Sequence, residues 1–455
     1  MLKAQNNEHP AARNARRFFN GRPVERFPER NDAVVSLVVP LFRSGPVLPS
    51  LLRSLKGSDP TPCEMIFVSD GDGRHDVPGK LIELPGNCGF PVAVNVGARE
   101  ADGRLICLLN ADVQVTPNWL APMVSLMDSA PDVGAVGNRN LDARGRIDSV
   151  GSEFDFNEGN FVHRLIGRPD EPSPERDTVT ERDMITAACL LVRRDVWEEL
   201  GGFHEAYQIG YFEDSDLCMR IRASGRRILY CPDSVIIHRK GHSGSARHHR
   251  YRHNKALFHN RWVETGQVDR FARARGRRTH EGDVVACYIV LNEEEFIEAS
   301  LESVYPLADR IVIVEGGNDY AVAAGLCGPD KRSTDATVER IRGFPDPAGK
   351  IELIRGAWRD KTGQRNAYAA RLRPGDWMLL MDGDEVFFDD GLWRLAALMH
   401  RYDAILPGFR LFWNNFDTLG VGRWDQFPQV KAVRWPAGAT YRTHLEPVDR
   451  RGRPL

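Results

Sequence analysis

The feature that most constrains this chain is a series of short apolar segments, each stopping at an acidic or amide tip. Val34 to Val39 has strand length and is rich in valine, and Pro40, which cannot donate to a sheet ladder, closes it. After a turn at Ser44-Gly45-Pro46, leucines at positions 48, 51, 52 and 55 recur at helical spacing, so that segment buries one face. Met65 to Val68 is a second strand and ends at Ser69-Asp70-Gly71-Asp72. Strand, helix and strand in this order make a βαβ unit, which implies a parallel sheet with a right-handed crossover. Leu105 to Leu109 adds a further buried strand that finishes at Asn110-Ala111-Asp112. Such carboxyl ends are where α/β folds place ligands.

The pattern occurs twice. Val284 to Val290 reads as a strand, Phe296, Ile297, Ser300, Leu301 and Val304 trace a helix face, and Arg310 to Val314 is a strand ending at Glu315-Gly316-Gly317. Trp377 to Met381 then ends at Asp382-Gly383-Asp384-Glu385, so the order of elements and acidic tips repeats, as in an internal duplication. At 455 residues two cores are expected. The expectation is an α/β chain of two tandem, Rossmann-like domains with mostly parallel central sheets: a polar extension over 1–32, a first domain over 33–262, a basic linker over 263–282 and a second domain over 283–455.

Composition narrows the partners. With 42% hydrophobic and 27% charged residues and a formal net charge of −2, the chain offers no global attraction to nucleic acid or an anionic membrane. No apolar run approaches the ~20 residues of a membrane span, and Met1 to Asp32 lacks the apolar core of a signal peptide. A cytoplasmic location is expected, with peripheral association as the one route to a membrane. The eight cysteines show no C-x-x-C pairing, and Cys107, Cys189 and Cys287 lie inside apolar runs, so they read as reduced core residues.

Asp70 and Asp112 end neighbouring parallel strands, so their carboxylates can converge on one crevice and bind a hard divalent cation. Either aspartate alone could equally be a turn or capping residue. A nicotinamide-dependent oxidoreductase would share the parallel sheet, yet Asp70-Gly71-Asp72-Gly73 is acidic where a pyrophosphate-binding turn should offer glycines.

A spaced set of residues carries a more specific signal. Asn87-Cys88-Gly89-Phe90 is followed by Ala93, Asn95, Gly97 and Ala101-Asp102-Gly103, then Leu108-Leu109-Asn110-Ala111-Asp112 and Trp119-Leu120. Downstream come Gly201-Gly202-Phe203, Tyr211-Phe212-Glu213-Asp214-Ser215-Asp216-Leu217 with Arg220, and Pro232 to His238. Across roughly Val34 to Trp262 the chain thus resembles the inverting family-2 glycosyltransferases of the GT-A fold. The resemblance implies that Pro40 and the loop after it line a nucleobase pocket, that Asp70 contacts the nucleoside, and that Asp112 binds metal and diphosphate. It places Asn95, Gly97 and Asn110 in the donor-binding set, although Asn110 stands where an aspartate is commoner. His238 matches a position that can add a metal ligand; a structural histidine at a strand end is its other reading. The implied cofactor is Mn2+ or Mg2+, the donor a UDP- or dTDP-linked sugar, and the acceptor a saccharide, lipid-linked or other hydroxyl.

Asp214, with Glu213 beside it, matches the general base. Inverting transfer requires the acceptor hydroxyl to lose its proton while attacking from the face opposite the departing diphosphate, so one carboxylate must stand apart from the metal. Leu217 and Ile221 lie four apart, which puts Glu213 and Asp214 at a helix N-terminus where the dipole favours ionisation; plain N-capping is also open to Asp214. Asp216 and Arg220 read as an i, i+4 pair.

The second domain resembles the same superfamily more faintly over Asp283 to about Glu446. Glu315, Asp382 and Asp384 form its expected donor or metal site, with His444 as a late histidine and Asp425 or Glu446 as possible bases. A non-catalytic, nucleotide-sugar- or carbohydrate-binding assembly protein with degenerate transferase domains is the alternative reading.

Overall fold

The computed structural model describes residues 34–156, 158–240, 246–387, 391–405, 410–413, 420–423, 432–441 and 447–448. Asp425, His444 and Glu446 lie outside these. The chain divides into two compact units after Asn260.

The first unit is a mixed sheet built on strands β1 (Val35–Leu41), β2 (Cys63–Asp70), β3 (Lys80–Leu84) and β4 (Leu105–Leu109), in spatial order β3-β2-β1-β4 and all parallel. Both faces of β1 are buried, which explains why Ser36 is its one polar residue. Val35, Leu37, Val39 and Leu41 pack with Leu48 and Leu51 of helix α1 (Leu48–Leu55). Val38 on the other face meets helix α2 (Phe90–Arg99), where Gly97 leaves room: a Cβ there would lie 2.5 Å from Val38 Cγ1 and 2.9 Å from Val68 Cγ2. Burial on both faces is what a parallel sheet demands.

Beyond β4 the sheet becomes mixed. Strands β5 (Val113–Val115), β6 (Val133–Leu141), β7 (Cys189–Arg193) and β8 (Arg227–His238) follow in the chain. β7 lies antiparallel between β4 and β6, β8 runs parallel to β6, and the tip of β8 pairs antiparallel with β5. Helix α3 (Glu213–Ala223) precedes β8, and helix α4 (Ala246–Phe258) ends the unit.

The second unit opens with helix α5 (Gln267–Ala274), inside the stretch expected as a linker. Its sheet uses strands β9 (Val284–Val290), β10 (Arg310–Glu315), β11 (Ile351–Arg355) and β12 (Trp377–Asp382), parallel and in the order β11-β10-β9-β12, followed by antiparallel β13 (Ala432–Arg434). This repeats the β3-β2-β1-β4 order of the first unit, with an antiparallel neighbour next to the fourth strand in both. Among the described residues no helix is long and apolar enough to cross a membrane.

Candidate functional site

Because β1, β2 and β4 run the same way, Pro40, Asp70 and Asn110 emerge at one sheet edge. There the first unit encloses a cavity of about 550 Å³, lined by Pro40, Asp70, Asn110, Asp112, Glu213, Asp214 and His238 among others. The structure thus brings together most of the residues singled out in the sequence.

Asn95 and Gly97 are not among the lining residues. The Asn95 amide instead ties α2 to a loop, accepting from Phe203 N at 2.8 Å and donating to Phe203 O at 2.9 Å and Glu205 Oε1 at 3.0 Å. Gly97 is the packing contact on β1 and β2 described above. In this structure both residues serve the packing of α2.

Asp70 is buried at the end of β2 and accepts from Cys88 N at 2.5 Å and Gly89 N at 2.9 Å, at the start of α2. Burial pushes its carboxyl up to about 6, against these two amides, which favour the charged form. Gly89 has φ 95°, and a Cβ there would lie 2.9 Å from Ile209 N.

Asp112 is met by His238 because β5 and the tip of β8 pair with His238 opposite Val113. His238 Nε2 lies 3.3 Å from Asp112 Oδ1, and its Nδ1 lies 3.3 Å from Asp148 Oδ2. Lys240 pairs with the other Asp148 oxygen. Burial disfavours the imidazolium, but the bonds to Asp112 and Asp148 outweigh it and raise the His238 pKa. Asp148, buried on the short strand Ile147–Ser149, shows the complementary effect: burial raises it, and its bonds to His238 and Lys240 bring it below the ordinary value. Nothing local in the sequence marked Asp148, which reaches the site only through tertiary pairing.

Asp214 is the second residue of α3 and faces the cavity. Its oxygens accept from Ser215 N at 2.8 Å and Ala187 N at 3.3 Å. Burial raises its pKa despite these amides and the nearby His163. Asp216 points inward, fully buried, and pairs with Arg220 Nε at 2.8 Å as the i, i+4 spacing suggested. One carboxylate of this helix start therefore serves packing and another is offered to the cavity.

In the second unit, Asp382 and Asp384 are exposed at the end of β12. Glu293 joins them: burial, then the charges of Asp384 and Asp382, push its carboxyl up to about 7. Glu315 is engaged elsewhere. It is fully buried, with Ser333 N at 2.9 Å from one oxygen and Arg355 Nε at 2.8 Å from the other, and these bonds overcome burial to lower its pKa.

A separate group of Asp269, His280 and His400 has ligand-type atoms within 4.8 Å of one another. His280 Nε2 lies 2.9 Å from Ala396 O, which can only accept, while Nδ1 is 3.0 Å from Thr279 Oγ1. Both ring nitrogens of His280 are thereby engaged. His400 Nε2 bonds Asp269 at 2.8 Å, so the group fastens α5 to helix Gly391–Met399.

Comparison with known proteins identifies the family. The model of glycosyl transferase family 2 matches residues 36–201 and 330–438, one stretch in each unit. The O-antigen biosynthesis protein RfbC of Myxococcus xanthus is 31% identical over 237 residues, covering 49% of this chain and 18% of that protein. The N-acetylglucosaminyl-diphospho-decaprenol L-rhamnosyltransferase of Mycobacterium tuberculosis is 27% identical over 238 residues, covering 46% of this chain and 77% of that enzyme. The uncharacterized protein y4gI of Sinorhizobium fredii is 26% identical, with 26% of its length covered, so the chain spans only a minor part of it and of RfbC. Among solved structures, GalNAc-T7 with UDP, GalNAc and Mn2+ aligns at 17% identity and a TM-score of 0.38, covering 46% of this chain and 43% of that one. With its family model matched over more than half of its length, the chain belongs to glycosyl transferase family 2.

Proposed function

We propose that the first unit transfers a sugar from a nucleotide-diphosphate sugar to an acceptor hydroxyl with inversion, in polysaccharide or other glycoconjugate biosynthesis. One observation carries this reading: Asp112 and Asp214 open onto the same cavity from different elements, the loop after β4 and the start of α3. Inverting transfer needs that separation between a leaving-group side and a base side.

On the leaving-group side, the carboxylate of Asp112 and the imidazole of His238 form an oxygen and nitrogen donor pair suited to Mn2+ or Mg2+. A divalent cation held there supplies positive charge to offset the charge that grows on the departing diphosphate. Pro40 and Asp70 border the place for the nucleoside of a UDP- or dTDP-linked donor, and Asn110 lies beside Asp112. On the opposite side, Asp214 takes the acceptor proton. Burial raises its pKa, which makes its carboxylate a stronger base than that of an ordinary aspartate.

The names of the relatives, which speak of O-antigen biosynthesis and of a diphospho-decaprenol rhamnosyltransferase, support a saccharide or lipid-linked acceptor. In the second unit Asp382 and Asp384 are proposed as a donor or metal site, with Glu293 in place of Glu315 as the third carboxylate. The test is a donor screen: purified protein with UDP- and dTDP-sugars, with and without manganese, followed by anomeric analysis of the product. A nucleotide sugar that neither stabilises the protein nor is turned over, across the whole screen, would return the chain to a non-catalytic binding role.

A further inference from the structure

Four consecutive residues, Ile209, Gly210, Tyr211 and Phe212, have φ values of 69°, 149°, 78° and 70°. Three carry side chains, and for β-branched Ile209 the left-handed region is a true outlier. Such backbone persists only where its surroundings over-determine it. The run leads directly into Glu213 and Asp214, and all six residues line the cavity.

The restraint comes from α4. Asn254 is fully buried on that helix, and its Nδ2 lies 3.0 Å from Gln208 O, 2.8 Å from Gly210 O and 3.2 Å from Tyr211 O. A single amide nitrogen with two hydrogens thus serves two carbonyls of the strained run and that of Gln208 just before it. Around it, the Tyr211 and Phe212 rings pack on Tyr251 at 5.5 and 5.4 Å, and Phe212 packs on Phe258 at 5.5 Å. Phe90 N also donates to Ile209 O at 3.2 Å.

The geometry points to Asn254 as a positioning residue that holds the left-handed run in place and so aims Asp214 into the cavity. This rests on Asp214 being the base. A simple packing amide would need no such convergence on strained backbone. Asn254 lies in a basic, histidine-rich segment whose composition hides it, and it touches neither the metal side nor the nucleoside side.

The test is a double-mutant cycle. Asn254→Ala is made in the wild type and in Asp214→Asn, with folding checked by thermal unfolding and by binding of UDP or dTDP with manganese, whichever stabilises the wild type. The expected result is unchanged nucleotide affinity with turnover lower by on the order of 10²-fold, the effect of a misplacement of about 1 Å. In the Asp214→Asn background Asn254→Ala adds little, because both act on one step. Ile209→Gly on top of Asn254→Ala recovers part of the turnover, since glycine takes positive φ without restraint. Full turnover in folded Asn254→Ala, or an equal further loss in the Asp214→Asn background, overturns the proposal. If Asp214→Asn alone keeps turnover, the base assignment falls. Hydrogen exchange over residues 207–216 then decides the loop question by itself: faster exchange in Asn254→Ala upholds the clamp, and unchanged exchange rejects it.

Discussion

His238 Nε2 lies 3.3 Å from Asp112 Oδ1, and it does so because His238 pairs with Val113 across the antiparallel contact of β5 and β8. Two residues far apart in the chain meet at the cavity through one rung of a ladder. If they hold the cation, Asp112→Ala should erase the manganese-dependent part of the thermal stabilisation given by UDP or dTDP, and turnover should be lost. An unaltered manganese response would remove Asp112 from the metal site.

Asp148 orients His238 from behind, as carboxylates commonly do for metal-binding histidines. Asp148→Ala should weaken manganese binding by about 10- to 100-fold in titration calorimetry with the nucleotide present, while leaving the fold intact. Wild-type affinity would show that the imidazole holds its place without this partner.

For Asp214 the prediction has two parts with opposite signs. Asp214→Asn should lower turnover by at least ~10²-fold with donor binding preserved. Since burial raises the pKa of Asp214 above the ordinary 3.8, folding favours its protonated form. That contribution to stability is fully present below 3.8 and is lost as pH rises through the raised value. Above that raised value Asp214→Asn should therefore unfold at a higher temperature than the wild type, and the difference should shrink on acidification. The acid limb of wild-type turnover should lie above the usual aspartate range. Normal turnover in a folded variant would remove Asp214 from the role of base.

The first transfer should be independent of the second unit's edge. Asp382→Ala combined with Asp384→Ala is expected to preserve it to within a few-fold, whereas Asp112→Ala or Asp214→Asn alone eliminates it. Mass spectrometry of the acceptor also shows whether a second sugar is missing. Loss of the first transfer in a folded double variant would move the principal centre to the second half.

The parallel strands and their tips were legible in the sequence because burial on both faces leaves continuous apolar runs, as in Leu105 to Leu109, and because the strand end fixes where Asp70 and Asp112 point. What was illegible depends on pairing between distant segments. Asp148 looks like any polar residue in a short strand, and Asn254 like one amide among arginines and histidines. Asn95, a polar residue inside the family motif, has its amide bonded to the Phe203 backbone, a pairing that the motif does not reveal. Glu315 was rightly placed at a strand end, but only the fold reveals that Arg355 occupies its oxygen.

Gly89 stands where the side assigned to the nucleotide and the side assigned to the base share a wall one backbone thick. Its amide serves Asp70, and its missing side chain makes way for Ile209. That wall cannot be thickened: even a methyl group at position 89 would lie 2.9 Å from Ile209 N and press on the left-handed run that leads into Asp214. Retuning this scaffold toward another donor is therefore left to side chains that line the cavity, such as Asn87, with the backbone at Gly89 left alone.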